Sequence, residues 1–357
     1  MAHNPDISVA LCTWNGERHL AAQLQSIAAQ SHRPDYLLIS DDCSTDLTLQ
    51  IARAFRDSAP FPVEVRQNPQ NLGSRLNFQQ AIEQSPGELI FLADQDDIWY
   101  PDKIERIVKA FQDHPQAGFV FSNGDVVNDN LEPLGYRLWD SFTFDEQHFH
   151  TSRNAQFYTL LHNTIVTGAT LAFRKKYVPW ITPFPENWIH DEWIATVISA
   201  LAPAVAINEP LIQYRSHSSQ QLGAPEPVGS EKRARTSTTE DLLDREKRLL
   251  RKAHHLQTLN SHLSAKQHLG NEEAKQLLVH FTQSLGLVEQ VLEVTLAEHE
   301  HFRNRIDIRQ SSSSRFSAVF KEWRSGRYHR FSSGTLSGLR DLCSRPLPDN
   351  SIPKEEL

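Results

Sequence analysis

LADQDDIWYPDKI, residues 92–104, is the stretch on which the reading of this chain turns. An apolar run, ELIFLA at 88–93, stops abruptly at Asp94, Gln95, Asp96 and Asp97. Three carboxylates within four residues repel one another, and at the end of a buried strand that is costly without a cation nearby. A hard divalent ion takes one or two carboxylates and completes its shell with water and phosphate oxygens. A D-x-D spacing off a strand end aims two side chains at one ion and turns the middle residue away. The competing reading is a helix start, with Asp97 or Asp102 capping a helix that begins near Pro101.

Working outward, the same sentence repeats. Residues 7–13 (ISVALCT) form a short apolar run ending at Trp14-Asn15-Gly16, and a helical pattern with Leu20, Leu24, Ile27 and Ala28 on one face follows through Gln30. Residues 36–40 (YLLIS) end at Asp41-Asp42, a helical stretch covers 47–56, and 63–66 reads as a third strand. Asn71-Leu72-Gly73 then leads into a helix at 74–84 and the 88–93 strand. Alternating helices and fully apolar strands predict an α/β fold with a mostly parallel sheet flanked by helices. Ligands of such sheets bind beyond the carboxyl ends of the strands, where Thr13, Asp41 and Asp94–Asp97 all fall. Further on, 118–122 (GFVFS), 166–173 (VTGATLAF) and 204–215 (AVAINEPLIQYR) read as strands. Residues 130–160 are irregular and rich in aromatics, and 190–201 reads as a helix.

Composition shifts after Ser216. The organisation expected is a first domain at 1–223, a linker at 224–238, an antiparallel helical hairpin at 239–305 and a basic amphipathic tail at 306–357. Leu242, Leu249, Leu256 and Leu263 recur every seven residues. That stripe reads first as core packing and second as the seam of a homodimer. The tail sets Arg315, Lys321, Arg324, Arg327, Arg330 and Arg340 among Phe316, Val319, Phe320, Trp323, Tyr328, Phe331 and Leu336, a pattern suited to contact with a membrane surface.

The formal charge of −8 argues against nucleic acid as a partner. Cys12, Cys43 and Cys343 have no metal-type spacing and fit a reducing compartment. No basic-then-apolar signal pattern opens the chain, and the longest uncharged apolar run, 194–207, falls short of the roughly 20 residues a membrane span needs. A cytoplasmic protein, peripheral on the cytoplasmic face of the inner membrane, is the expectation.

The chemistry at the strand ends can be read as a set. A carboxylate at Asp41 can accept from a pyrimidine ring N–H, Thr13 and Asn15 can flank that base, and Arg75 can pair with a diphosphate. No glycine-rich phosphate loop is present, so metal and Arg would have to neutralise the phosphates. The inventory is that for a nucleoside diphosphate.

VALCTWNGERHL, SDDCSTD, NLG, LADQDDIWYPDK, VTGATLAF, HDEW and YRSHSSQ, in this order, resemble the bacterial inverting family-2 glycosyltransferases of GT-A fold, and most of all the rhamnosyltransferase-like subgroup that builds surface polysaccharides such as O-antigen. The resemblance covers about residues 6–223. Trp14 stands where Tyr is common, Cys43 where Gly or Asn is common, and Ser219-Gln220 where an Asn pair is frequent. The resemblance implies that Asp41 holds the base beside Thr13 and Asn15, that Arg75 contacts the nucleotide and that Asp94 touches the ribose. It implies that Asp96 binds Mn²⁺ or Mg²⁺ through the diphosphate, with His217 reaching the metal or diphosphate from a closing loop. Asp97 becomes a supporting carboxylate and Asp191 the catalytic base. Trp193 either lines the acceptor pocket or belongs to the core. The donor implied is a UDP- or dTDP-sugar, and the acceptor a glycan or lipid-linked glycan. A sugar-nucleotide pyrophosphorylase and a non-catalytic nucleotide-sugar binder are the competing classes. The first turn, TWNGERHL, lacks the Gly-rich, Arg-containing form of the former, and the D-x-D with HDEW argues against the latter.

Overall fold

A computed structural model describes residues 6–142, 144–217, 220, 227, 239–266, 274–310 and 315–343. Apart from Pro227, the expected linker lies outside the described residues, as do Ser219, Gly270-Asn271 and the last fourteen residues of the tail. The chain divides into two units, Met1–Val228 with Lys266–Ser284, and Gly229–Ala265 with Leu285–Leu357.

The first unit is built on a nine-stranded mixed sheet. Its elements are β1 (Ile7–Thr13), α1 (Leu20–Ala28), β2 (Tyr36–Asp41), α2 (Thr48–Ser58), β3 (Val63–Gln67), α3 (Ser74–Gln84), β4 (Leu89–Asp94), β5 (Ile98–Trp99), α4 (Lys103–Asp113), β6 (Phe119–Val127) and β7 (Pro133–Arg137). There follow α5 (Glu146–Phe149), α6 (Arg153–His162), β8 (Leu171–Arg174), α7 (Val178–Ile181), α8 (His190–Ser199) and β9 (Ala204–Arg215). The strands lie in the order β3-β2-β1-β4-β8-β6-β9-β5, with β7 on β6.

The β3-β2-β1-β4 half is wholly parallel, as the strand–helix alternation predicts. β1 is buried along its entire length, and Leu37, Leu38 and Ile39 of β2 are equally inaccessible. Each Val, Leu or Ile among them gains about 1.5–3 kcal/mol from leaving water. Edge strand β3 carries Glu64 and Arg66 instead, which discourages pairing with another chain. In register, Thr13 stands beside Asp41 and Cys12 beside Asp94, so the polar ends of β1, β2 and β4 come out side by side.

Two differences from the sequence reading shape the site. The strand expected at 166–173 begins only at Leu171, because Gly168–Thr170 forms a 3₁₀ turn. Side chains take its backbone groups: Asp191 Oδ2 accepts from Gly168 N–H at 2.8 Å, and Lys103 Nζ donates to the Ala169 carbonyl. The second difference is β5, which lies inside the opening stretch and pairs antiparallel with β9, Ile98 opposite Gln213. That pairing folds the acidic loop back onto the end of β9. The aromatic segment around 130–160 packs Phe144 and Phe149 against Phe121 and Trp139.

The second unit is helical, with α9 (Thr239–Lys266) and α10 (Ala274–Gln310) reaching into it, followed by α11 (Arg315–Arg324), α12 (Arg327–Phe331) and α13 (Thr335–Cys343). Leu242 of α9 clusters with Phe302 and Ile306 of α10, and Arg245 pairs with Glu298 at 2.6 Å, so the two helices run antiparallel. Leu242, Leu256, Leu259 and Leu263 are all buried within the single chain, and Leu249 is partly buried against the Leu242 cluster, as core packing requires. The described part of the tail, through Cys343, is helical and folded against α10. Asp341 of α13 is fully buried and accepts from Arg305, Arg309 and the Tyr328 hydroxyl. No helix among the described residues is long and apolar enough to cross a membrane.

Candidate active site

Asp41, at the end of β2, is fully buried. Its Oδ1 accepts from the Thr13 hydroxyl at 3.0 Å and the Ser44 hydroxyl at 2.5 Å, and its Oδ2 from Ser44 N–H at 3.0 Å. A carboxylate has about four acceptor sites, so these three bonds leave one uncommitted. Asn15 closes the same corner by accepting from Thr45 N–H at 2.9 Å. Cys43 sits at φ 63°, a left-handed conformation that Gly or Asn adopts with less strain. Asp42 organises the next loop, accepting from Leu72 N–H and Gly73 N–H, each at 2.8 Å. Arg75 then extends from the first turn of α3 and gives one N–H to the Phe184 carbonyl at 2.6 Å.

The acidic loop is held from three sides. Gln95, the middle of the D-x-D, turns away from its neighbours and exchanges two hydrogen bonds with the backbone of Trp14, at 2.8 and 3.0 Å. Gly16 makes room for it, since a Cβ there would lie 2.2 Å from Gln95 Oε1. Arg215 donates its backbone N–H to Asp97 Oδ1 at 3.0 Å and its Nε–H to the Asp96 carbonyl at 2.6 Å. Asp97 is thus a buried support, and no capping hydrogen bond from Asp102 starts α4. Lys103 is fully buried beneath the loop, its Nζ 3.7 Å from the centre of the Trp99 ring.

The electrostatics follow from crowding. Burial, then the charges of Asp96 and Asp191, pushes Asp94 up to about 8, with Lys103 opposing. Asp97 is raised well above the carboxylate range by burial and by Asp96 and Asp94. Burial depresses Lys103 to about 7 despite the attraction of Asp97 and Asp94. The buried ammonium of Lys103 faces Asp94 and Asp97, and the crowding that favours their protonated forms is of the kind a bound divalent cation would relieve.

Asp96 Oδ2 and His217 Nε2 lie 3.0 Å apart, close enough that both could ligate one cation. Carboxylate with imidazole suits Mn²⁺, and the remaining positions suit phosphate oxygen and water. Among the described residues no group of three or more His, Cys, Asp or Glu side chains is arranged to hold a metal. His19 stands beside the Asp96–His217 pair, its ring centroid 5.1 Å from that of His217 and its Nε2 3.2 Å from Asp129 Oδ1. Burial and the charges of Arg215 and His217 lower the pKa of His19 and favour its neutral ring.

Across the sheet ends, Asp191 opens α8. Its Oδ2 accepts from Gly168 N–H at 2.8 Å and its Oδ1 from Glu192 N–H at 2.7 Å, which fixes the carboxylate while its charge reaches Asp94. Glu192 is pushed up to about 7 by burial and by Asp191. His190 stacks on Phe78 with ring centroids 4.1 Å apart, and neither ring nitrogen has a hydrogen-bond partner in the structure.

Trp193 requires a correction. It is fully buried, donates its indole N–H to the Ile181 carbonyl at 2.6 Å and packs edge-on against Trp188. A side chain with no exposed face cannot stack on a sugar, so Trp193 belongs to the core. Thr13, Asn15, Asp41, Arg75, Asp94, Asp96, Asp191 and His217 all lie in the first unit, on the loops at strand ends or at helix starts. Sequence reasoning missed Gln95, Lys103, Arg215, His19 and Gly168 as its scaffolding. The signal was present for Lys103 and Arg215, which are cations within the two motifs whose loops they join.

Residues 8–179 match the sequence profile of glycosyl transferase family 2, a match that ends before Asp191 and His217. An uncharacterized glycosyltransferase of Nostoc sp. is 32% identical over 125 residues, covering 35% of this chain and 38% of that protein. The dTDP-rhamnosyl transferase RfbG of Shigella flexneri is 28% identical over 226 residues, covering 60% of this chain and 74% of its own. The chain thus spans well under half of the first relative's length. Among solved structures, TarS of S. aureus, residues 1–349 in complex with UDP-GlcNAc, superposes with a TM-score of 0.50 at 18% identity over 91% of both chains. That likeness concerns the fold, which is of GT-A type.

Proposed function

We propose that this chain, whose residues 8–179 match glycosyl transferase family 2, moves a hexose or deoxyhexose from a UDP- or dTDP-sugar to a glycan acceptor, with inversion. Rhamnose, galactose and glucose are the sugars proposed. The acceptor proposed is lipid-linked, within surface-polysaccharide synthesis at the cytoplasmic face of the inner membrane. The relative named as a dTDP-rhamnosyl transferase supports a deoxyhexose donor.

One observation carries the reading: Asp191 is clamped by Gly168 N–H at a strand-end site whose other side is the Asp94–Asp96–His217 cluster. In the proposed reaction Asp41, Thr13 and Asn15 hold the base, and Asp94 takes the ribose. Arg75, which has five N–H donors and gives one to Phe184, directs others to the diphosphate. Asp96 and His217 would hold Mn²⁺ or Mg²⁺, which when bound offsets charge on the departing diphosphate as a Lewis acid. Asp191 accepts the proton of the acceptor hydroxyl as its oxygen bonds to the anomeric carbon and the carbon–oxygen bond to the diphosphate breaks. A single base suffices because the leaving group needs no general acid.

The test is Asp191→Asn assayed with UDP- and dTDP-sugars in the presence of Mn²⁺. Transfer should fall about 10²–10⁴-fold while calorimetric donor affinity stays near that of the parent protein. Near-normal transfer would remove Asp191 from the mechanism. Chelation should abolish both transfer and the donor-induced rise in melting temperature, since only a ligand that binds the native state raises it. Unchanged donor binding after chelation would overturn the metal assignment.

A further inference from the structure

The helical unit presents an apolar, cationic surface. α11 exposes Phe316, Phe320 and Trp323, at 73%, 51% and 43%. Their i, i+4, i+7 spacing sets them on one stripe, and the Phe320 and Trp323 rings lie 6.1 Å apart. α13 packs against α11 where Gly338 approaches Val319, and it exposes Leu336 and Leu339 at 61% and 53%. Single exposed apolar residues are ordinary; five on two adjoining helices form a patch of the kind that marks an interaction site.

The charges around the patch are one-sided. Residues 315–343 carry Arg315, Lys321, Arg324, Arg327, Arg330 and Arg340 against only Glu322 and Asp341. Both acids are turned inward: Glu322 accepts from His301 and Asn304, and Asp341 from Arg305, Arg309 and Tyr328. Arg327 is engaged with Glu300, and Lys321, Arg324, Arg330 and Arg340 are exposed to solvent. The local surface is therefore positive on a chain whose formal charge is −8.

We infer that α11 and α13 form a docking face for an anionic lipid surface. Phe316, Phe320, Trp323, Leu336 and Leu339 enter the headgroup–acyl boundary, and the Lys and Arg side chains extend to the lipid phosphates. Charge decides between this occupant and a second copy of the chain. A two-fold contact through the patch would bring its cations against their own images, whereas an anionic bilayer neutralises them. The inference stands on the helical unit alone and is independent of the transferase reading.

Flotation of the full chain with vesicles tests it. The protein should float with phosphatidylcholine vesicles containing about one-third phosphatidylglycerol, should remain free with phosphatidylcholine alone, and should be released by high salt. Lys321→Glu and Arg324→Glu should each lower the partition coefficient roughly fivefold or more. The double variant Phe320→Ser/Trp323→Ser should lose at least about tenfold with an unaltered circular dichroism spectrum. Absence of flotation by the folded parent protein, equal flotation with both vesicle types, or full binding by the aromatic double variant would overturn the inference. So would a parent dimer that this double variant converts to monomer in sedimentation.

Discussion

At the scale of single residues, the site runs on carboxylates whose environments differ. Asp191 is clamped by two backbone N–H groups, whereas the adjacent Glu192 is half-buried with one long hydrogen bond, from the Thr164 hydroxyl at 3.3 Å. Burial and the charge of Asp191 raise Glu192 to about 7, so folding favours its protonated form. The stabilisation this brings is complete at low pH and is lost as pH rises through the folded value near 7. Glu192→Gln removes the ionisation. Relative to the parent protein it should gain roughly 2 kcal/mol between pH 5 and pH 8, read as the pH dependence of the denaturation midpoint. A constant difference across that range would show that Glu192 ionises as freely when folded as when unfolded. Trp193 teaches the opposite lesson at this scale. Its place in HDEW, two residues from Asp191, suggested a sugar platform, yet a helix turns such a neighbour about 160° away from Asp191, into the core.

At the scale of elements, two short pieces do most of the positioning. The 3₁₀ turn at Gly168–Thr170 takes Lys103 on one carbonyl and Asp191 on one N–H, and so joins the helix after the acidic loop to the helix that bears the proposed base. β5, two residues long, pairs the acidic loop with β9 and delivers Arg215 to Asp96 and Asp97. The loop after β1 is secured in turn by Gln95. Gly16→Ala would place a methyl group 2.2 Å from Gln95 Oε1 and displace that amide from Trp14. The expected outcome is a rise of about tenfold in donor Kd with little loss of stability, because the displaced side chain lies at the surface. Calorimetry of donor binding checks it, and an unchanged Kd would mean that the Gln95–Trp14 link does not shape the nucleotide site. None of these pieces was legible beforehand. A two-residue strand and a three-residue turn are too short to show a period, and their hydrogen bonds run to side chains far along the chain.

At the scale of the whole molecule, the two units rely on different physics. The sheet unit is held by apolar strands, and the helical unit by both leucines and a buried ionic core. In that core Asp341 faces Arg305 and Arg309, all three essentially inaccessible to water. Asp341→Asn would leave two buried guanidinium groups short of their counter-charge, and about 3–5 kcal/mol of stability should be lost, measured by chemical denaturation. A change below about 1 kcal/mol would show that water reaches this cluster. The basic residues of the tail looked like one amphipathic surface in the sequence. The fold sets Arg305 and Arg309, at the end of α10, in the buried ionic core and turns Glu322 and Asp341 inward.

The sequence by itself determined that apolar strands alternate with helices, and that each of the first, second and fourth strands ends in polar residues. Those facts are local: a period of two or 3.6 states which face is buried, and a cluster of like charges states that a counter-charge is needed. Only the tertiary structure decided which distant groups meet. Asp96 finds His217 across 121 positions of chain, the Asp191 charge reaches Asp94, and Trp193 is sealed inside. Such meetings depend on strand order and on the route of each connection, which one-dimensional periodicity does not encode.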